Sequence, residues 1–228
     1  MDIDDILKDF ERQANQSTSS SNFENQLRQE DLQKLQQSWI SERSSPEILP
    51  YEIELLERIL LRLKEKIEFI EYNSIELQKT KDIKLKLMII ESEVQRINFL
   101  IRNYLRTRLY KIDNFTIYIH NTDEELKKLA PTELEYMERH FEILVELYNK
   151  QFLLKLPEAL RPLDDNSGGI NMVPEPNLST SVFFKVANDI NEIITIGDEH
   201  IELTNNGIYL MSYKLIRPLV MTGNVFLI

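Results

Sequence analysis

Through the first two thirds of the chain, apolar residues recur at intervals of three and four, the spacing that lines one face of an α-helix. Ile3, Ile6, Leu7 and Phe10 make a short amphipathic stretch. Leu32, Leu35, Trp39 and Ile40 mark a first helix. Ser45-Pro46-Glu47 reads as the start of another, with Ser45 as N-cap and Pro46 in the first helical turn. Three long helices follow. From Tyr51 to about Gln78, one stripe holds Leu55, Leu56, Ile59, Leu60, Leu63, Ile67 and Ile70. From about Ile83 to Tyr118, Leu87, Val94, Ile97, Ile101, Tyr104 and Leu105 mark the buried side. From about Pro131 to Leu156, it is Leu134, Met137, Phe141, Leu144, Val145 and Tyr148. Phe115–His120 is β-prone in composition but is read as the helix end, because packing overrides propensity. A helix from Tyr51 to Gln78 is about 42 Å long at 1.5 Å per residue, so three such helices predict an elongated bundle.

The period changes after Pro157. Pro157, Pro162, Pro174, Pro176 and the pair Gly168-Gly169 are linker and turn chemistry. Beyond them Val182–Val186, Glu192–Ile196 and His200–Leu203 read as short strands, and Asn205-Asn206-Gly207 is a tight-turn signal. Ile208–Tyr213 continues as a strand or turns helical through Leu215 to Val220, and Val225–Ile228 is a last apolar strand. The fold class is therefore mainly α: an elongated helical bundle followed by a small β-rich domain. The boundaries read as an amphipathic segment 1–12, a flexible polar linker 13–30, a helical domain 31–157, a Pro/Gly-rich linker 158–180 and a β-rich domain 181–228. The last unit is so small, and so free of staples, that burying its apolar face against a neighbour is expected.

Composition narrows the chemistry. The chain has no cysteine, which excludes disulfides, a cysteine nucleophile and thiolate zinc sites. No apolar run reaches the length of a membrane-spanning helix, and the acidic start Met1-Asp2-Ile3-Asp4-Asp5 is unlike a signal peptide. A net charge of −11 repels phosphate backbones, so basic protein partners are expected and direct DNA contact is disfavoured. His120, His140 and His200 are scattered, with no metal-ligand spacing. Asp164-Asp165 lacks further ligands, and Gly168-Gly169 is followed by no Lys-Ser or Lys-Thr, so neither makes a metal or phosphate site. No catalytic residues, metal or cofactor are expected, and the chain reads as a non-enzyme. Arg96, Arg102, Arg106, Arg108 and Lys111 are the most charged feature: they either pair with glutamates of neighbouring helices or face a partner. Trp39 either anchors its helix in the bundle or is an exposed hot spot.

Several strings together resemble one family. Trp39–Tyr51 (WISERSSPEILPY), Arg96–Ile112 (RINFLIRNYLRTRLYKI), Asn171–Pro176 with Val182-Phe183, Ile208–Val220 and Val225–Ile228 are similar, in order, to the fourth-subunit, SLD-five type family of the GINS DNA replication complex. The resemblance covers residues 31–228 and implies a helical A domain, a small B domain and no catalytic residues. It implies a nuclear scaffold subunit of a heterotetramer with three sister GINS subunits. That tetramer joins the MCM ring and its RecJ-like cofactor protein in the CMG replicative helicase, at initiation and fork progression, and meets DNA polymerase epsilon. Arg102, Arg106, Arg108, Val225, Phe226, Leu227 and Ile228 are candidate subunit-interface residues. Asp4–Glu11 (DDILKDFE) resembles a short motif of yeast replication proteins that docks on a trimeric replication adaptor linking to polymerase alpha, with Asp4, Asp5, Ile6, Leu7 and Phe10 as docking residues. The competing reading is a helical tether or coat subunit in membrane traffic, where long amphipathic helices are also common.

Overall fold

The computed structural model describes residues 26–74, 81–157, 161, 173–187, 193–196 and 199–228. A first helix, α1, spans 26–44. It is followed by α2 (Ile53–Ser74), α3 (Lys81–His120), a single turn α4 (Asp123–Leu126), α5 (Pro131–Gln151) and a 3₁₀ turn at Leu153–Lys155. The C-terminal part holds β1 (Ser181–Val186), β2 (Ile193–Ile196), β3 (Glu199–Glu202), β4 (Ile208–Ser212), α6 (Tyr213–Met221) and β5 (Val225–Leu227). A helical bundle followed by a small antiparallel sheet is the class that the periodicity indicates.

Residues 26–30, assigned to the polar linker by composition, are helical. Their straight-chain side chains, Gln26, Leu27, Arg28, Gln29 and Glu30, are good helix formers despite their polarity. Ser45-Pro46-Glu47 does not begin a helix: α1 ends at 44 and residues 45–52 cross without regular structure to α2. Ser45 Oγ donates to the Glu47 carbonyl (2.7 Å) instead of capping a helix N–H. α3 keeps the β-prone Phe115–His120 stretch helical, with a kink at Phe115 (φ −116°, ψ 22°). α5 stops at Gln151, five residues before the expected Leu156. It opens with Pro131 in the first turn, and Glu133 Oε2 accepts from the Ala130 N–H (3.1 Å), one half of a capping box.

The chain forms two compact units. One joins the residues up to Gln36 with Leu55–Ile97; the other joins Gln37–Glu54 with Asn98–Ile228. The first buries Leu35, Leu55, Leu56, Ile59 and Leu63. There Asp31 holds Arg58 (3.0 Å) and Arg62. Burial pushes the Asp31 carboxyl up, but those two hydrogen bonds outweigh it and hold it below the usual range. Leu60, expected on the buried stripe, is half exposed. Trp39 is half-buried, with the Arg43 guanidinium over its ring.

In the second unit a helical core forms around Ile48, Ile112, Ile119 and Met137. Met137 alone of the expected α5 stripe is fully inside; Val145 is exposed. The β core gathers Val182, Phe184 and Val186 of β1 with Met211, Tyr213, Ile216, Val225 and Leu227. β1 is the central strand, antiparallel to β4 (Phe183 opposite Leu210) and to β5 (Phe184 opposite Leu227). Its side chains alternate out and in along the whole strand, as period two requires. β2 and β3 form a separate hairpin. The Asn205-Asn206-Gly207 signal is a turn, with Asn206 at φ 58°. Gly207 is needed for space: a Cβ there would lie 2.6 Å from the Tyr209 ring and 2.9 Å from the Thr204 carbonyl.

Candidate functional site

The densest chemistry lies where the 45–50 segment, α3, α4 and α6 meet. Arg108 is wholly buried, and each of its five N–H groups has an acceptor. Nε and Nη2 donate to the two oxygens of Glu133 (2.8 and 2.9 Å). Nη1 donates to Glu42 Oε2 (2.9 Å) and the Leu49 carbonyl (2.6 Å), and Nη2 also reaches the Lys128 carbonyl (3.1 Å). The guanidinium sits 5.1 Å and 5.7 Å from the ring centres of Tyr51 and Tyr104. Burial disfavours its charge, but the Glu133 hydrogen bond and the Glu42 charge more than compensate, and Arg108 stays firmly protonated. One turn on, Lys111 Nζ donates to Glu42 Oε1 (2.8 Å), Ser45 Oγ (2.7 Å) and the Glu47 carbonyl (2.8 Å), and also contacts the Glu42 carbonyl.

Glu47 turns the network towards the β domain. Its Oε1 accepts from the Tyr213 hydroxyl (2.8 Å) and Arg217 Nε (2.7 Å). Its Oε2 accepts from Arg217 Nη2 (2.8 Å) and Lys128 Nζ (2.9 Å). Arg217 thus grips the carboxylate in fork geometry, the strongest form of such a pair. Burial works to raise the Glu47 carboxyl, but the hydrogen bonds from Arg217, Lys128 and Tyr213 win and hold it below the usual range. Glu125 is the reverse. Burial raises it, and although Lys128 (2.6 Å) pulls it down, the charge of Glu47 adds to the rise. Burial and the neighbouring Glu47 push the Tyr213 hydroxyl up, so it remains a donor. Ser44 Oγ makes a further tie, donating to the Ile228 carbonyl (3.2 Å). Among the described residues no buried side-chain polar atom lacks a partner.

A charged network with every group satisfied positions elements; it offers no open valence to a substrate. Among the described residues no three metal-ligating side chains converge. His120 stacks on Phe141 at 3.9 Å, and His140 Nδ1 lies 2.8 Å from Thr116 Oγ1. His200 falls in β3. Asp164, Asp165, Gly168 and Gly169 lie outside the described residues, as do Asp4, Asp5, Ile6, Leu7 and Phe10.

The interface candidates separate into two groups. Arg102 and Arg106 are exposed on α3. Arg108 is not a surface group: the chain's own glutamates and carbonyls occupy it, so its assignment to a subunit interface is withdrawn. Val225 and Leu227 are buried within the β core, Phe226 is half-buried and Ile228 is about half exposed. Glu42, Glu47, Lys128, Tyr213 and Arg217 were not foreseen. One signal was present: Arg108 and Lys111 share a helix face with the apolar Ile101, Tyr104 and Ile112, and a charge on a buried face needs a partner.

Fold and junction together define a two-part protein, a helical bundle that carries a small β domain on a buried ionic joint. The same division appears in comparisons with known proteins. Residues 26–152 match the GINS complex protein helical bundle domain, and residues 176–228 match the DNA replication complex GINS protein SLD5 C-terminus. The chain belongs to the SLD5 family of the GINS DNA replication complex. The SLD5 protein of Debaryomyces hansenii is 40% identical, covering 100% of this chain and 98% of its own length. That of Yarrowia lipolytica is 37% identical over 100% of this chain and 85% of its own. The Saccharomyces cerevisiae protein is 33% identical, with 88% and 81% covered. These matches give no support to a tether or coat subunit in membrane traffic.

Proposed function

We propose that this GINS subunit is a non-catalytic nuclear scaffold, built into a heterotetramer with three sister subunits. In this reading the tetramer joins the MCM ring and its RecJ-like cofactor protein in the CMG helicase, and meets DNA polymerase epsilon. One observation carries the scaffold role. The polar groups at the centre of the second unit are spent on one another, while large apolar side chains stand outside. α2 exposes Leu60, Leu61, Phe69 and Tyr72, which is costly for a chain working alone. The net charge of −11 favours protein partners over direct DNA contact.

The N-terminal motif extends the role. Ile6, Leu7 and Phe10 share a helical face behind Asp4 and Asp5, whose charge favours a helix N-terminus. Docked as a short helix in an apolar groove of the trimeric adaptor, so brief a segment binds weakly, at about micromolar affinity. The test is co-expression with the sister subunits and mass spectrometry of what co-purifies. A stoichiometric complex that also retains MCM proteins is expected, and a well-behaved monomer with no affinity for the sisters would overturn the reading. A labelled peptide of residues 1–13 tests the docking motif, with Ile6→Ala/Leu7→Ala/Phe10→Ala as control. Equal binding by both peptides would remove it.

A further inference from the structure

Between Glu93 and Asp113 the chain has no acidic residue, although it carries 38 elsewhere and nearby. That acid-free stretch of α3 holds two cationic faces. Arg108 and Lys111 point inward to their glutamates. Opposite them, at about 100° per residue, Phe99, Arg102, Arg106 and Tyr110 fall within a sector of about 80°. Phe99 is 61% exposed and Tyr110 67%, and both arginines are exposed. Three exposed cations of the helices hold a carboxylate one turn away: Arg96 holds Glu93, Arg139 holds Glu135 and Lys150 holds Glu146. Among the described residues no carboxylate pairs with Arg102 or Arg106. The cause is legible in sequence: three or four positions from either stand only Asn98, Phe99, Asn103, Leu105, Leu109, Tyr110 and the other arginine. Two like charges one turn apart repel, and two large aromatic rings stand in water beside them.

We infer that Phe99, Arg102, Arg106 and Tyr110 form the seat of an acidic amphipathic helix from another subunit of the same complex. This rests on the reading of the chain as a scaffold in a multi-subunit assembly. The stripe extends about 17 Å along α3, three helical turns. An occupant of matching length brings two carboxylates one turn apart to the two guanidiniums and sets apolar side chains against Phe99 and Tyr110. Its charge follows from the stripe, which is a positive strip on a chain of net charge −11. That net charge also turns away a nucleic acid, for which aromatic and basic side chains would otherwise suit. Four side chains cover far less than the roughly 1,600 Å² of a stable interface, so the occupant belongs to a partner held by further contacts. A subunit meets that condition and a free peptide does not.

The test uses the full chain co-expressed with the other GINS subunits. A photo-crosslinking amino acid at position 106 is irradiated in the purified complex and the adduct mapped by mass spectrometry. The expected product joins α3 to a helical segment with two carboxylates one turn apart. A crosslink to an acid-free segment, to added duplex DNA, or to nothing overturns the proposal. In parallel, Arg102→Glu/Arg106→Glu, at two exposed positions, is expected to weaken assembly at least about tenfold at low salt, with the difference shrinking as salt rises. Unchanged assembly at low salt also overturns it. If the unsubstituted chain fails to co-purify with the sister subunits, the scaffold reading itself has failed, which is a separate result.

Discussion

Replacing Glu47 by alanine strikes the joint between helical bundle and β domain at its centre. The carboxylate is 2% exposed and takes four hydrogen bonds, two from Arg217 and one each from Lys128 and Tyr213. After the change Lys128 keeps Glu125, and Arg217, whose side chain is one third exposed, keeps Glu125 at 3.5 Å and turns the rest of its fork to water. The buried Tyr213 hydroxyl is left without its acceptor, a loss of about 1–3 kcal/mol by itself. Removing one member of a buried ion pair costs about 3–5 kcal/mol, and the exposure of Arg217 places Glu47→Ala near the lower end. About 3 kcal/mol is roughly a hundredfold in the opening equilibrium of α6. Glu47→Gln retains an oxygen for Tyr213 but loses the charge and sets an amide N–H₂ against the Arg217 Nη2 and Lys128 Nζ donors, so it spares only the Tyr213 hydroxyl. The assay is hydrogen exchange of the α6 amides in the co-expressed complex, with β1 and β4 amides as internal reference. Exchange in α6 is expected to rise far more than in the sheet. If Glu47→Ala leaves α6 exchange within about twofold of the unsubstituted protein, the joint does not hold the β domain and the reasoning fails.

Three further outcomes follow from the same geometry. Arg108→Ala takes the guanidinium from Glu133 and leaves Glu42 to Lys111 alone, and a loss of about 3–5 kcal/mol is expected in denaturant titration of the complex; Arg108→Lys, a point charge in place of a five-donor fork, should rescue little. Deleting residues 225–228 removes the buried Val225 and Leu227, each worth about 1.5–3 kcal/mol; proteolysis of the β domain and loss of complex yield would report it, and normal assembly would show that the terminus carries neither core nor interface. The Glu47 carboxyl is held below its ordinary value of 4.5, so its contribution is complete above that pH and is lost as pH falls through the lower folded value. The protection of α6 amides, corrected for the intrinsic slowing of exchange in acid, should therefore fall as pH drops below 4.5, and Glu47→Gln should flatten that dependence.

Much of the architecture was written in the periodicity. Apolar spacing located α2, α3 and α5, period two located β1, and the Asn205-Asn206-Gly207 turn was visible as such, because local sterics and one-sided burial act over a few residues. The acid-free stretch of α3 that leaves Arg102 and Arg106 unpaired is also a property of sequence alone. Tertiary structure decided the rest. Ser45-Pro46-Glu47 has the local grammar of a helix start, yet Lys111 draws on its hydroxyl and a carbonyl and keeps the segment open. Arg108 and Arg106 differ by two positions and by nothing in chemistry; only the packing of α3 buries one and leaves the other in solvent. The joint itself brings Glu47 to Arg217 across 170 residues. No local pattern encodes that meeting, because a buried charge selects its partner through the fold that removes both from water.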